Sequence, residues 1–255
     1  MVRIAHSHSS SSQYATLHKL CRPFMNYLST HKFACSKLAA QWLYGDKLAQ
    51  DGQVTLVHNG IDVGIFQYNI EMRIQYRELL NLKNSLIIGH VGRFLNVKNH
   101  SFLIDVFYEI YCQNPKAKLM LVGDGKLKDH MKSKVSKLGL EEAVLFLGVR
   151  DDVYALMQAM DIFVLPSLFE GLPLVCIEAQ CSSLPCVISD TVSKEVCITK
   201  NIFFQSLLDT PSKWAHTILT IAENYDRNKP LNNIKNSSYN IKKVAKYMQD
   251  FYIFK

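Results

Sequence analysis

Leu86-Ile-Ile-Gly-His-Val91, running on into Gly92-Arg93-Phe94-Leu95-Asn96-Val97-Lys98-Asn99, is the stretch on which the fold turns. Its first six residues form an apolar, β-branched run of strand length, and its middle is a glycine-led loop carrying two cations. From about Asn99 the chain reads as a helix, because Phe102, Val106 and Ile110 recur at helical spacing.

Working outward, the same unit repeats. Lys118–Val122 is a second strand closed by Gly123-Asp124-Gly125, with a helix after it to Leu138 and Gly139 as its stop. Val144–Leu147 is a third strand, and Asp151 or Asp152 is then placed to cap a helix with Val153, Leu156, Met157 and Met160 on one face. Ile162–Leu165 is a fourth strand ended by Pro166. A helix starts near Pro173, and Pro185–Ser189 is a fifth strand. Strands alternating with helices require parallel pairing through right-handed crossovers, so the fold class is α/β with a doubly wound parallel sheet.

Ligands of such sheets bind at the carboxyl ends of the strands. There the sequence collects Gly92–Lys98 after the first strand, Gly123–Gly125 after the second, Gly148-Val149-Arg150 after the third and Pro166–Gly171 after the fourth. Glycines, two arginines, a lysine and a carboxylate on one edge suit an anionic, hydroxyl-rich ligand. Arg93 and Lys98 leave one loop, so they could hold a diphosphate from two sides; a solvated face is the alternative. Glu170 sits in the loop before a helix and Glu178 lies inside that helix. The two carboxylates suit either acid/base work or hydrogen bonding to sugar hydroxyls. The chain contains no GxGxxG, GxxxxGK[ST], HExxH or GxSxG pattern, which argues against nicotinamide dehydrogenases, P-loop proteins, zincins and serine hydrolases.

The whole chain has 255 residues, a net charge of +7, 48% hydrophobic and 20% charged residues, within the globular range. The charge is uneven: residues 231–255 hold Lys235, Lys242, Lys243, Lys246 and Lys255 against Asp250, leaving a body close to neutral. No nucleic-acid groove is expected. The sequence has no apolar run long enough to span a bilayer and no signal-peptide start, so a cytoplasmic protein is expected, with the inner face of the membrane as a place of peripheral association. The seven cysteines, Cys21, Cys35, Cys112, Cys176, Cys181, Cys186 and Cys197, read as reduced, buried thiols rather than metal ligands.

Taken in order, Gly92-Arg-Phe-x-x-x-Lys98-Asn99, Gly123-Asp-Gly125, Phe146-Leu-Gly-x-Arg150 and Pro-Ser-x-x-Glu170-Gly-x-Pro-x-x-x-x-Glu178-Ala resemble the donor half of the retaining glycosyltransferase family 4, of GT-B architecture. The turn Asn59-Gly60-Ile61-Asp62 and the later Phe66 resemble the approach to that half. The resemblance implies a hexose-type transfer from a nucleotide diphosphate sugar, a UDP-sugar first, to a glycan or lipid-linked acceptor in polysaccharide biosynthesis. It implies that Arg93 and Lys98 bind the diphosphate and stabilise the leaving group. Glu170 would meet hydroxyls of the transferred sugar, with Gly171 and Leu172 near sugar and phosphate. Glu178 would hydrogen-bond the ribose, and Gly92, Gly123, Val149 and Arg150 would complete the donor site. It further implies front-face attack without an enzyme nucleophile, and no cofactor or metal ion.

Upstream, Ile4-Ala-His6-Ser-His8-Ser resembles a strand end of the family's acceptor half, where a histidine faces the reacting sugar, and His8 fits that place better than His6. A stray metal pair and a loose terminus are the other readings. Two Rossmann-like domains need about 300–400 residues, so an N-terminally truncated chain is expected. Residues 1–58 would be a remnant of the acceptor-side domain, 59–225 the complete donor domain and 226–255 a helix returning to the first. Strands at 2–5, 32–35 and 54–57 and helices near 17–29 and 36–44 are read in the remnant. Its strands would lack sheet partners, exposing edges and apolar surface. The C-terminal helix, with Ile241, Val244, Ala245, Met248, Phe251 and Tyr252 against lysines, would pack on the acceptor side or lie on a membrane. The competing functions are a non-catalytic nucleotide-sugar-binding half needing a partner chain, and a sugar-nucleotide epimerase of the same architecture.

Overall fold

The structure is a computed structural model that describes residues 1–9, 14–228, 234 and 237–254. It divides into two units, Met1–Asp62 with Lys235–Lys255, and Val63–Ile234. Lys235 and Lys255, counted above in the basic tail, lie outside the described residues.

In the first unit, β1 (Ile4–Ser7), α1 (Ala15–Leu28), β2 (His31–Ala34), α2 (Lys37–Tyr44), α3 (Asp46–Gln50) and β3 (Thr55–Leu56) follow in order. The strands expected to lack partners pair with each other instead, as a parallel sheet β1-β2-β3. The register runs Ile4↔His31 to Ser7↔Ala34, then Phe33↔Thr55. Ser36 caps α2, its hydroxyl accepting from the Ala39 amide at 3.1 Å. Phe33, Ala34, Ala39, Ala40 and Tyr44 are fully enclosed. The Tyr44 hydroxyl donates to the Phe33 carbonyl at 2.9 Å, and burial pushes its pKa up to about 12. The expected apolar exposure is present on α1, which has no buried residue and leaves Leu17, Leu20, Phe24 and Tyr27 exposed at helical spacing.

The second unit begins with α4 (Val63–Phe66) and α5 (Ile70–Leu79), then alternates strand and helix. β4 (Ile87–Val91), α6 (His100–Gln113), β5 (Lys118–Val122), α7 (Lys128–Lys137), β6 (Val144–Gly148), α8 (Val153–Ala159), β7 (Ile162–Leu165), α9 (Leu174–Cys181) and β8 (Cys186–Ser189) follow the sequence pattern closely. β9 (Ile202–Gln205) and α10 (Pro211–Asn224) extend it. All six strands are parallel, in the order β6-β5-β4-β7-β8-β9. The chain therefore winds outward from β4 to β6, returns to the other flank of β4 as β7, and winds outward again. That return is the topological switch point. β7 and β8 are buried at every position, as strands covered on both faces must be. Trp214 of α10 is fully buried and meets Phe102 of α6 edge-on at 5.6 Å.

Three details depart from the expectation. α8 is not a one-faced surface helix: Ala155–Met160 is buried throughout, because α4 and α5 cover its outer side. Asp152 stands at its N-cap but makes no side-chain cap bond, its carboxylate being taken by Arg150 and Tyr76. Cys35, Cys176, Cys181 and Cys186 are buried, whereas Cys21, Cys112 and Cys197 are exposed, since each of these last three falls on an outward position. α11 (Ile241–Phe254) belongs to the first unit, where Phe251 meets Phe33 of β2 edge-on at 5.0 Å. Ile61 and Tyr239 join the two chain segments of that unit through an amide-to-carbonyl bond of 2.8 Å.

Candidate functional site

The carboxyl ends of β4, β5, β6 and β7 bring four loops together, and main-chain bonds tie them. The Gly92 amide donates to the Val122 carbonyl at 2.9 Å, Gly123 to Gly148 at 2.7 Å, Phe94 to Asp124 at 3.0 Å and Leu168 to Val97 at 2.8 Å. Gly123 has φ 132°, and a Cβ there would collide with the Gly92 carbonyl oxygen. Only glycine allows the β4 and β5 loops to approach so closely. Phe94 anchors the first loop: fully buried, it stacks on His100 at 4.1 Å and on Phe146 at 5.9 Å. Burying such a ring contributes about 2–3 kcal/mol, which offsets the entropy lost in ordering the loop.

This frame presents Lys98 at the end of a single 3₁₀ turn, Asn96–Lys98, with Asn99 in the left-handed region at φ 56°. Lys98 Nζ lies 2.6 Å from Glu170 Oε1, so the loops after β4 and β7 meet across the switch point through an ion pair whose side chains are 17% and 16% exposed. Ser167 Oγ donates to the same Oε1 at 3.0 Å. Arg93 is exposed on the same loop as Lys98 and makes no ion pair with any described residue. Gly171 and Leu172 follow Glu170, half-buried, and Glu170 forms a parallel bridge with Val192. Glu178 projects from α9; burial pushes its pKa up to about 7, and its carboxylate has no hydrogen-bond partner among the described residues. Burial, and then the neighbouring Cys186, raises the pKa of the fully buried Cys176 thiol, with Lys98 opposing the shift and Glu170 and Glu178 adding to it.

Two predicted positions are less simple. Val149 is exposed, but Arg150 is held by Asp152, its Nε donating to Oδ1 at 2.8 Å and its Nη2 to Oδ2 at 2.6 Å, with Tyr76 donating to the same carboxylate at 2.9 Å. The Arg150 charge is thus engaged within the fold. His8 lies in the other unit, exposed just past β1, its Nδ1 3.0 Å from Asn59 Oδ1 and its ring 4.1 Å from that of His6.

Sequence reading missed the groups that support the site. His90 and His100 are buried beneath the first loop, their rings edge to face at 4.6 Å. His90 Nδ1 donates to the Val164 carbonyl at 2.8 Å, which fixes the tautomer. Burial, and then the charge of Lys98, lowers His100 to about 4, so neither ring adds charge near neutral pH. At the opposite edge, Asp161 accepts from Arg73, from Arg77 and from the Ile87 amide at 2.7 Å. Arg73, Arg77 and Arg227 also donate to carbonyls at the end of α8, answering the unpaired groups that a helix terminus leaves. Nothing local in the sequence marks these long-range partners. Among the described residues no group of three or more His, Cys, Asp or Glu side chains is placed to hold a metal ion.

A doubly wound parallel sheet with a cation–carboxylate pair at its switch point defines a Rossmann-like α/β protein. The chain belongs to the family described as Glycosyl transferases group 1, whose profile matches residues 72–240. It is 35% identical over 229 residues to EpsF of Bacillus subtilis (strain 168), a protein named as a glycosyltransferase, covering 87% of this chain and 60% of that one. It is 30% identical over 210 residues to the UDP-Gal:alpha-D-GlcNAc-diphosphoundecaprenol alpha-1,3-galactosyltransferase of Escherichia coli, covering 79% and 54%. The chain thus spans under two thirds of the length of both relatives. Alr3699/HepE of Anabaena, solved with UDP and glucose, superposes with a TM-score of 0.78 at 20% identity, over 99% of this chain and 71% of that one. The fold is that of GT-B glycosyltransferases. No helix among the described residues is long and apolar enough to cross a membrane.

Proposed function

We propose that the chain acts as a retaining glycosyltransferase that moves a hexose-type sugar from a nucleotide diphosphate sugar, a UDP-sugar first, to a glycan or lipid-linked acceptor in polysaccharide assembly. The observation that carries this reading is the meeting of Lys98 and Glu170 across the switch point, with Arg93 on the same loop. Lys98 and Arg93 hold the diphosphate and stabilise its developing charge as it leaves, the largest contribution such a site makes. Glu170 takes hydroxyls of the sugar, Gly171 and Leu172 line the sugar and phosphate, and Glu178 takes the ribose. Gly92 and Gly123 shape the floor, Val149 and the backbone of Arg150 lie by the base, and His8 is the residue that the family resemblance assigns to the reacting sugar. Arg93 and Lys98 supply the positive charge that a divalent ion supplies elsewhere, so the proposed reaction needs no metal. The printed name of the E. coli relative, with its UDP-sugar and its diphosphoundecaprenol acceptor, supports the donor and acceptor classes, and the UDP bound in HepE supports the donor class. A lipid-linked acceptor would bring the reaction to the inner face of the membrane, and Lys242, Lys243 and Lys246 of α11 suit anionic headgroups there.

Calorimetric titration with UDP, GDP and NAD tests the site. Tight binding of a nucleoside diphosphate with none of NAD supports it, and no binding of any of the three removes it. A second reading is a nucleotide-sugar-binding half completed by another polypeptide. It is favoured by the exposed row Leu17, Leu20, Phe24 and Tyr27 on α1. Transfer activity that appears only on mixing with a second chain selects this reading, whereas transfer by the chain alone excludes it.

A further inference from the structure

We infer that Ser167 is a positioning residue that holds Glu170 in place when Lys98 turns to the diphosphate, and so sets the preference of the site for nucleotides that carry a sugar. This rests on the reading of the site given above and adds a residue to it.

Glu170 divides its two oxygens. Oε1 receives Lys98 Nζ at 2.6 Å and Ser167 Oγ at 3.0 Å, while Oε2 accepts from no described residue and is left for a ligand hydroxyl. The lysine is the stronger of the two anchors, because it brings charge as well as a hydrogen bond. A diphosphate competes for that same ammonium. Once Lys98 moves to the ligand, Glu170 keeps only the serine hydroxyl on Oε1, and its orientation toward the sugar depends on it.

Ser167 is built for that task. It is fully buried, so its hydroxyl has no water to turn to. Its backbone is pinned by the end of the neighbouring strand: the Ser189 hydroxyl donates to the Ser167 carbonyl at 2.5 Å and the Thr191 hydroxyl at 2.8 Å. The two hydroxyl oxygens lie 2.9 Å apart. The chain of contacts runs from β8 through Ser167 to Glu170, and no member of it belongs to the loop that carries Lys98. A sugar-binding carboxylate anchored to β8 keeps a hold that does not depend on the Lys98 side chain.

The test compares the affinity for UDP with that for UDP-glucose, UDP-galactose, UDP-N-acetylglucosamine and GDP-mannose by calorimetry, using the sugar nucleotide that the wild-type chain binds best. Ser167→Ala is expected to leave the affinity for the nucleoside diphosphate within about twofold and to weaken the sugar nucleotide about tenfold, or about 1.4 kcal/mol. Ser167→Thr, which restores a hydroxyl, is expected to recover most of that loss, and Ser167→Cys, of serine's shape with a weak donor, to lie between. Equal loss of both ligands in Ser167→Ala and Ser167→Cys, with melting unchanged, overturns the inference, and so does no change in either. Should the alanine variant fail to fold, the cysteine and threonine pair decides alone: equal sugar-nucleotide affinity in the two overturns the inference. A wild-type chain that binds no nucleotide overturns the site itself, a result distinct from any of these.

Discussion

Lys98 Nζ and Glu170 Oε1, 2.6 Å apart, join the loops after β4 and β7 and give the site its own internal counter-ion. Each group is mostly buried, so removing either strands the other. Lys98→Ala should weaken binding of nucleoside diphosphates by one to two orders of magnitude, consistent with about 1.5–3 kcal/mol for a hydrogen bond to a charged group. Glu170→Gln should weaken the sugar nucleotide more than the nucleotide alone. Calorimetry on both variants checks this, and affinities equal to wild type would remove the two residues from the site.

Glu178 predicts a pH dependence. Burial raises its pKa to about 7, and a ribose hydroxyl that donates to it favours the ionised form. Nucleotide binding should then release a fraction of a proton between about pH 6 and 7, and affinity should rise with pH across that range. Stability moves the other way. Between the ordinary carboxylate value and about 7 the folded chain holds a proton that the unfolded chain has lost, so the contribution of Glu178 to stability falls as pH rises through that window. Titration in buffers of different ionisation enthalpy reads the proton, and Glu178→Gln should abolish both dependences.

Asp161 is the carboxylate on which Arg73 and Arg77 converge, and it also receives the Ile87 amide. Asp161→Ala leaves two guanidinium groups and an amide without their acceptor at the start of β4. A loss of about 3–5 kcal/mol is expected, read by denaturant or thermal unfolding, with Asp161→Asn milder because it keeps one acceptor.

Gly123→Ala combines a backbone φ of 132° with a clash against the Gly92 carbonyl. It should cost about 1–3 kcal/mol and displace the Arg93–Lys98 loop, so nucleotide affinity and melting temperature should fall together. A variant of wild-type melting and affinity would show that the two loops do not need this approach.

Much of this is legible in the sequence because the loops that matter are short, glycine-marked and next to strongly apolar strands. Arg93, Lys98 and Glu170 stand out on those grounds. α5 does not: it has no buried residue, and Arg73 and Arg77 fasten it to Asp161 and to the α8 carbonyls in place of an apolar stripe. β9 is a short run, half-buried at all four positions on the sheet edge. Ser167 and His90 were hidden for another reason. Each acts through a partner brought up by folding: Ser167 through the hydroxyls beyond β8, and His90 through a carbonyl on β7.

The β4–β7 ladder has only two paired positions, Ile88↔Ile162 and Gly89↔Phe163, against five between β4 and β5. Beyond Gly89 the ladder stops, and the His90 ring reaches across to the Val164 carbonyl of β7 at 2.8 Å. The six-stranded sheet is therefore two three-stranded blocks joined along a seam, with Lys98 on one block and Glu170 on the other. A molecule gripped by both works as a staple across that seam, and the β4 and β7 amides are where its arrival should slow hydrogen exchange most.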